Sequence, residues 1–444
     1  MKMKSLAISC VSALSLLAGI SAAHAGAFGL REQSAVGQGS SFAGAAAGAA
    51  GLGSMFWNPA TITNFKGGQV ELVGSGIFPS ATMTTQPGSS AFYRNPAFTQ
   101  SSGDIGQDAF LPAGYASYQI NNQWWIGVSM NTPFGLTTKA NVNWPGRTYG
   151  ATTRVLSTNL TPTIGYKIND MFSVAAGLQI MHFKTKYTSA IASAGAAPAN
   201  WPVVGLQGDS WGVGYTLGAT IKPMDGTEIG IGFRSAVQEN LSGALQGLGN
   251  SAIKSTVMLP ESINVGLRQR VTNDFTALVG FEWTNWSRLK QPAVINQQTG
   301  GNAAIPYIPL HYNDGWYVSL GGEYRINPAW LVRAGIGYEN SPIDMENRSL
   351  RLPDANRWWF SVGAGYQYSE TLFFDIGYTY ILPLNGNVAM NSSNSGYSST
   401  LGAAGIGNLY TDTSANVNIV SASVRWIWDN PKQTIPAALP KVTK

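Results

Sequence analysis

Charge is what this sequence has least of. Only 11% of its 444 residues are Asp, Glu, Lys or Arg, against roughly 25% in an average soluble protein. That is too few to clothe several soluble domains. Cysteine is nearly absent as well. The one cysteine, Cys10, lies in a stretch that reads as a secretory leader: Lys2 and Lys4, an apolar run from Leu6 to Ile20, then Ala23-His24-Ala25 as a small-x-small cleavage site. Cleavage after Ala25 leaves 444 − 25 = 419 residues beginning at Gly26 and a net charge of +5 − 2 = +3. Without cysteine the mature chain has no disulfide, no thiol chemistry and no lipoprotein anchor. Its net charge is too small and too scattered to point to nucleic acid. Histidine falls to His182 and His311, far apart and without metal spacing.

Long hydrophobic runs are missing after the leader. Hydrophobic residues make up 44% and mean hydropathy is −0.01, which excludes a bundle of membrane helices. The Gly/Ala-rich stretch 42–57 falls short of the roughly 20 apolar residues a membrane helix needs. Its Gly44 and Gly48 spacing also allows a helix-packing motif, so a short spanning helix is the rival reading there.

What is plentiful is glycine (52) and aromatics (14 Trp, 18 Tyr, 17 Phe), and their order is regular. Trp330, Val332, Ala334, Ile336 and Tyr338 alternate with Leu331, Arg333, Gly335 and Gly337. Side chains alternate faces along a strand, so one face is apolar and bracketed by aromatics, the other small or charged. Trp316 to Tyr324, Trp358 to Tyr366 and Leu372 to Tyr380 repeat the pattern. Apolar-out, polar-in strands with aromatic girdles define a barrel in lipid. The fold class is therefore all-β, a transmembrane antiparallel β-barrel.

Fourteen alternating segments lie near 68–80, 110–120, 123–137, 152–168, 171–190, 210–222, 227–242, 256–271, 274–290, 315–326, 329–340, 356–368, 371–383 and 415–428. Twelve or sixteen strands fit the same pattern. Tight turns such as Asn121-Asn122, Asn169-Asp170 and Asn327-Pro328 alternate with long connections at 81–109, 191–209, 291–314 and 384–414. Short turns on one side and long loops on the other are the rule for bacterial outer-membrane barrels. Arg234, Arg268, Glu282, Glu323, Arg325, Arg333, Asp375 and Arg425 all fall on the small-residue face. An Arg facing lipid at mid-membrane costs about 2–4 kcal/mol, so one parity for all eight supports the assignment. Residues 26–66 differ in composition from all that follows and predict short helices packed inside something. The expected organisation is leader 1–25, plug 26–66, barrel 67–428 and periplasmic tail 429–444.

Three pieces together resemble the FadL family, the outer-membrane transporters of long-chain fatty acids and aromatic hydrocarbons. The first is the N-terminal segment from Gly26-Ala27-Phe28-Gly29-Leu30 to Asn58-Pro59-Ala60. The second is Leu259-Pro260-Glu261-Ser262 followed by Trp283-Thr284-Asn285-Trp286. The third is Asn313-Asp314-Gly315-Trp316, then Glu346-Asn347-Arg348-Ser349, Leu352-Pro353-Asp354 and Arg357-Trp358-Trp359. The resemblance covers essentially the whole mature chain. It implies fourteen strands, a lumen closed by a small N-terminal helical hatch, capture in an apolar groove among the outer loops, transfer to an internal pocket, and lateral exit where the third strand is kinked. In that strand Asn131-Thr132-Pro133-Phe134-Gly135 interrupts the ladder, because proline donates no hydrogen bond and a nearby glycine marks a bend. An ordinary strand end entering a loop is the other reading of Pro133, Phe134 and Gly135.

Two departures matter. The chain continues past Arg425-Trp426-Ile427-Trp428 into a Pro/Lys tail, and residues 305–310 carry no basic residue for a carboxylate. Lys184 and Lys186 are the candidate carboxylate ligands, with solvated positions as their alternative. Phe56, Trp57 and Phe65 are candidate apolar lining, and Asn58, Pro59 and Ala60 the gating motif of the plug. No catalytic group, cofactor or metal is expected. The reading is a monomeric outer-membrane channel, in contact with membrane lipid, for passive uptake of hydrophobic small molecules. Long-chain fatty acids lead; neutral aromatic hydrocarbons are the alternative, and a general diffusion porin the rival class.

Overall fold

The computed structural model describes residues 26–247, 249–399 and 406–429. The expected leader and all of the expected tail but Asp429 lie outside the described residues. Fourteen antiparallel strands close into a barrel. In chain order they are Gly68–Thr85, Ala109–Gln119, Trp124–Asn131 continued by Gly135–Lys139, Thr152–Lys167, Phe172–Ala190, Val203–Met224, Thr227–Arg234 continued by Val237–Gln246, Ser251–Leu259 continued by Ser262–Arg270, Phe275–Thr284, Gly315–Arg325, Trp330–Asn340, Arg357–Gln367, Leu372–Pro383 and Leu409–Asp429. The first and fourteenth strands pair from Gly68 opposite Asp429 to Thr85 opposite Thr411. Closure joins the two terminal strands, so neither ends the sheet as a free edge facing lipid.

The alternation read from the sequence is the alternation of the wall. On the tenth strand Trp316, Val318, Leu320 and Tyr324 lie on the exposed outer face, while Tyr317, Ser319 and Glu323 are buried inside. Inward charges pair with each other. Arg333 holds Glu323 at 3.1 Å and Asp375 at 2.8 Å, and Arg268 reaches Glu323 at 3.1 Å. Four strands, the eighth, tenth, eleventh and thirteenth, are thereby tied on the lumen side.

Strands run longer than the apolar pattern in places. The sixth starts at Val203, not near 210, because its upper part pairs with the seventh (Asp209 with Ser242, Gly205 with Gln246) beyond the lipid-facing band. Backbone pairing and the burial of Leu206 against Leu245 and Ile253 hold it there. The seventh and eighth strands are both interrupted at one height. Arg234 pairs Ser262 and Val237 pairs Leu259, with Ser235-Ala236 and Pro260-Glu261 between.

The lumen is filled by residues 26–66, almost all buried. They form a short α-turn, Ala35–Gln38, and three 3-10 segments, Ala45–Ala47, Gly51–Phe56 and Pro59–Asn64. Local chemistry sets these starts. Ser34 caps the first through Gly37 N, and Asn58 caps the last through Ala60 N, with Pro59 at the first helical position where no N–H is needed. The Asn58 amide also donates to the carbonyls of Ala46 (2.7 Å) and Ala219 (2.9 Å). Wall glycines make room: a Cβ at Gly230 would overlap the Ala46 carbonyl, and one at Gly232 the Trp57 carbonyl. Segment and wall meet backbone to backbone. The spanning-helix reading of 42–57 is replaced by these short turns, as Gly44, Gly48 and Gly51 all take positive φ.

Candidate substrate cavity and wall opening

The third strand does not end at Pro133. It pairs the fourth from Trp124 opposite Tyr166 to Asn131 opposite Asn159, and resumes from Gly135 opposite Leu156 to Lys139 opposite Thr152. One extra residue lies between the two ladders, which is a bulge. On its other side, pairing with the second strand runs only from Gln119 opposite Trp125 to Gly114 opposite Met130. Residues 109–113 of the second strand therefore have no neighbour in the third.

A wall opening results, bounded below by the Gly114–Met130 pair and above by the Gly106–Thr138 bridge and the Lys139 N to Ile105 O bond of 3.0 Å. From inside, the kinked segment is held by the N-terminal residues. Leu30 N donates to Pro133 O at 2.8 Å and Gly135 N to Phe28 O at 2.9 Å. Gln33 Nε2 donates to Thr132 O at 2.8 Å.

Beside the opening lies a cavity lined by Leu30, Phe56, Pro133, Phe134, Met181, Val237 and Trp286, with Arg31, Gln179, Arg234, Ser235, Asn264 and Glu282 among its polar lining. Arg234 is the unusual member. It ends the lower half of the seventh strand and is buried. Its guanidinium donates to the Phe56 carbonyl at 3.2 Å and to Gln179 Oε1, and lies 4.4 Å from the centre of the Phe56 ring. Among the described residues it has no carboxylate at ion-pair distance, unlike Arg31, Arg333 and Arg357. A buried cation without a carboxylate at ion-pair distance is costly; Glu282, which lines the same cavity, acts on it only over a longer range.

A second cavity, toward the long-loop end, is lined by Phe28, Phe183, Tyr187, Leu206, Leu241, Ile253, Leu289, Ile308 and Leu310. Phe28 is in edge contact with Trp286 (4.9 Å) and Phe134 (5.9 Å), rings of the first cavity. Those three aromatics separate the two spaces.

The residues singled out from sequence are dispersed. Phe56 and Phe134 line the first cavity. Trp57 backs it, packed on Phe42 and Phe56 at 5.4 and 5.1 Å. Phe65 sits elsewhere, half-buried, with its carbonyl accepting from Trp125 Nε1 at 2.8 Å. Asn58, Pro59 and Ala60 lie at the wall junction described above. Lys184 and Lys186 lie apart from both cavities. They follow Val174 and Leu178 on the outward parity of the fifth strand and are exposed, so they line neither cavity. Phe183, between them in register, points inward. Arg234, Gln179, Met181, Phe28 and Trp286 also line the cavities, and no local pattern marks them as lining. Parity marked Arg234 as inward, but only the folded wall shows that no acid meets it.

A closed fourteen-stranded barrel with an occupied lumen, internal apolar cavities and a gap in its wall defines an outer-membrane transport protein for hydrophobic solutes. The family model described as "Outer membrane protein transport protein (OMPP1/FadL/TodX)" matches residues 16–427. The chain belongs to this family, and resides in the outer membrane of a Gram-negative bacterium. It is 28% identical over 401 residues to the "47 kDa outer membrane protein" of Pasteurella multocida, covering 83% of this chain and 90% of that protein. To the "Long-chain fatty acid transport protein" of Escherichia coli O6:H1 it is 26% identical over 396 residues, covering 80% and 86%. In fold it is similar to a Pseudomonas aeruginosa FadL homologue (TM-score 0.79, 20% identity, 91% of this chain and 100% of that one). It is also similar to the Ralstonia pickettii toluene transporter TbuX (TM-score 0.63, 17% identity, 89% and 99%).

Proposed function

We propose that this chain carries long-chain fatty acids passively across the outer membrane. The single observation that supports this is Arg234, a buried guanidinium with no carboxylate at ion-pair distance among the described residues, lining a cavity of mixed apolar and polar character. An acyl chain gains about 0.8 kcal/mol per buried CH₂, which the aromatic and aliphatic lining supplies. A carboxylate gains a charge-assisted hydrogen bond from Arg234. In this reading the upper cavity captures the chain from outside. The Phe28, Phe134 and Trp286 rings yield to it, Arg234 takes the head group, and the molecule leaves through the opening above Gly114. The name of the Escherichia coli relative agrees with it. Lumen and wall touch backbone to backbone at Gly230 and Gly232, which argues against a general porin.

A second reading, transport of neutral aromatic hydrocarbons, draws on one specific observation: the three converging rings between the cavities. Titration of detergent-purified protein with a long-chain fatty acid and with toluene separates the two. Saturable binding of the acid that competes with no neutral compound supports the first reading. Binding of toluene alone overturns it.

A further inference from the structure

Five charged side chains form one buried cluster at the start of the described chain. Arg31 bonds Glu282 at 2.7 Å and Glu339 at 2.6 Å. Arg357 is 3.5 Å from Glu339 and bonds Asp354. Trp359 Nε1 adds a bond to Glu339 at 3.1 Å. All but Glu282 are nearly solvent-free, and two cations face three anions. A net negative charge out of water is strongly unfavourable.

The missing positive charge has an address. The backbone nitrogen of Gly26 lies 2.7 Å from Glu339 Oε1, and Ala27 N donates to Asp354 Oδ2 at 3.1 Å. Gly26 is itself buried, and a Cβ on it would stand 2.5 Å from the same Glu339 oxygen. Gly26 is also the residue after Ala23-His24-Ala25, the small-x-small site.

We propose that removal of the leader after Ala25 creates a buried ion pair between the new Gly26 α-ammonium and Glu339, and that this pair seats the N-terminal strap in the barrel. Cleavage hydrolyses the Ala25–Gly26 amide, leaving a carboxylate on the leader and an amine on Gly26 that protonates near neutral pH. The cluster then holds three cations and three anions. Glu32 lies beside it; burial pushes its carboxyl up to about 7, so near neutral pH it is only about half ionised. Two and four residues on, at Phe28 and Leu30, the same strap bonds Gly135 and Pro133 at the wall opening. Processing thus finishes the fold at the place where the wall is open. An unprocessed chain offers Glu339 only a neutral amide.

The test is amine labelling of the folded, detergent-purified protein, independent of any transport assay. Formaldehyde and cyanoborohydride methylate accessible amines; mass spectrometry of the N-terminal peptide reads Gly26, with exposed Lys184 and Lys186 as internal standards. Intact mass is expected to start at Gly26, with its α-amine modified at least tenfold slower than in denatured protein. Equal rates folded and denatured, or a chain starting elsewhere, overturn the proposal. Glu339→Gln should raise the rate toward the denatured value if it folds. One Ala inserted ahead of Gly26 keeps every side chain and moves the ammonium away; it should label at the exposed rate and unfold at a lower temperature. Unchanged unfolding with that insertion also overturns the proposal.

Discussion

The guanidinium of Arg234 lies 4.4 Å from the centre of the Phe56 ring and donates to the Phe56 carbonyl at 3.2 Å. A wall residue on the seventh strand is thereby joined to the end of a lumen-filling 3-10 segment. The cavity that both line is shared between wall and plug, so ligand in it touches both.

Arg234→Gln keeps the length and a hydrogen-bond donor but removes the charge. A charged hydrogen bond contributes about 1.5–3 kcal/mol, so affinity for a long-chain fatty acid should fall roughly ten- to hundredfold. Affinity for toluene should stay within about threefold. Isothermal titration of both ligands on the same preparation checks it; equal losses for both would remove Arg234 as the head-group site.

Deleting Pro133 removes the one extra residue between the two ladders of the third strand. The strand then runs in a single register, and residues 109–113 of the second strand gain a partner. The barrel should fold and still bind ligand saturably, while uptake by cells drops at least tenfold. Normal uptake with confirmed surface expression would rule out this opening as the exit.

Gly232→Val places a side chain where the Trp57 carbonyl now lies. Neither backbone can withdraw, so the N-terminal segment should be displaced from that wall. Single-channel recordings should show conductance steps that the parent lacks, and cells should become permeable to small polar antibiotics. Asn58→Ala, which loses a cap and two bonds to carbonyls, should act in the same direction, at a cost of about 1–3 kcal/mol.

Burial raises the Glu32 carboxyl from its usual range to about 7. A raised folded-state value means the neutral form is favoured in the folded protein. That contribution is complete below about pH 4.3, the unfolded value, and is lost as pH rises through about 7. Unfolding temperature in detergent should therefore fall between pH 5 and 8, and Glu32→Gln should flatten that slope. A slope unchanged in the variant would assign it to another group.

Lys184→Ala with Lys186→Ala should leave fatty-acid affinity within twofold, because both side chains are on the outside of the barrel. A larger loss in the same titration would return them to the binding path.

The sequence by itself determined the barrel. Period-two alternation is written residue by residue, since lipid on one side and a polar lumen on the other each penalise the wrong side chain; hence Trp316, Val318 and Leu320 were legible as outward and Glu323 and Arg333 as inward. Turn residues such as Asn327-Pro328 marked one rim, and Asn58-Pro59 marked a capped start. What only the tertiary structure decided is who meets whom across the lumen. Lys184 and Phe183 are adjacent in sequence, yet the strand's parity sends one outside and the other into a cavity. Arg234 and Arg333 share the same inward reading. Arg333 finds two acids, one on the adjacent tenth strand and one on the thirteenth, and Arg234 finds a ring, an amide and a carbonyl. Register and closure set those encounters through contacts hundreds of residues apart, such as Gly26 with Glu339, and no local pattern encodes them.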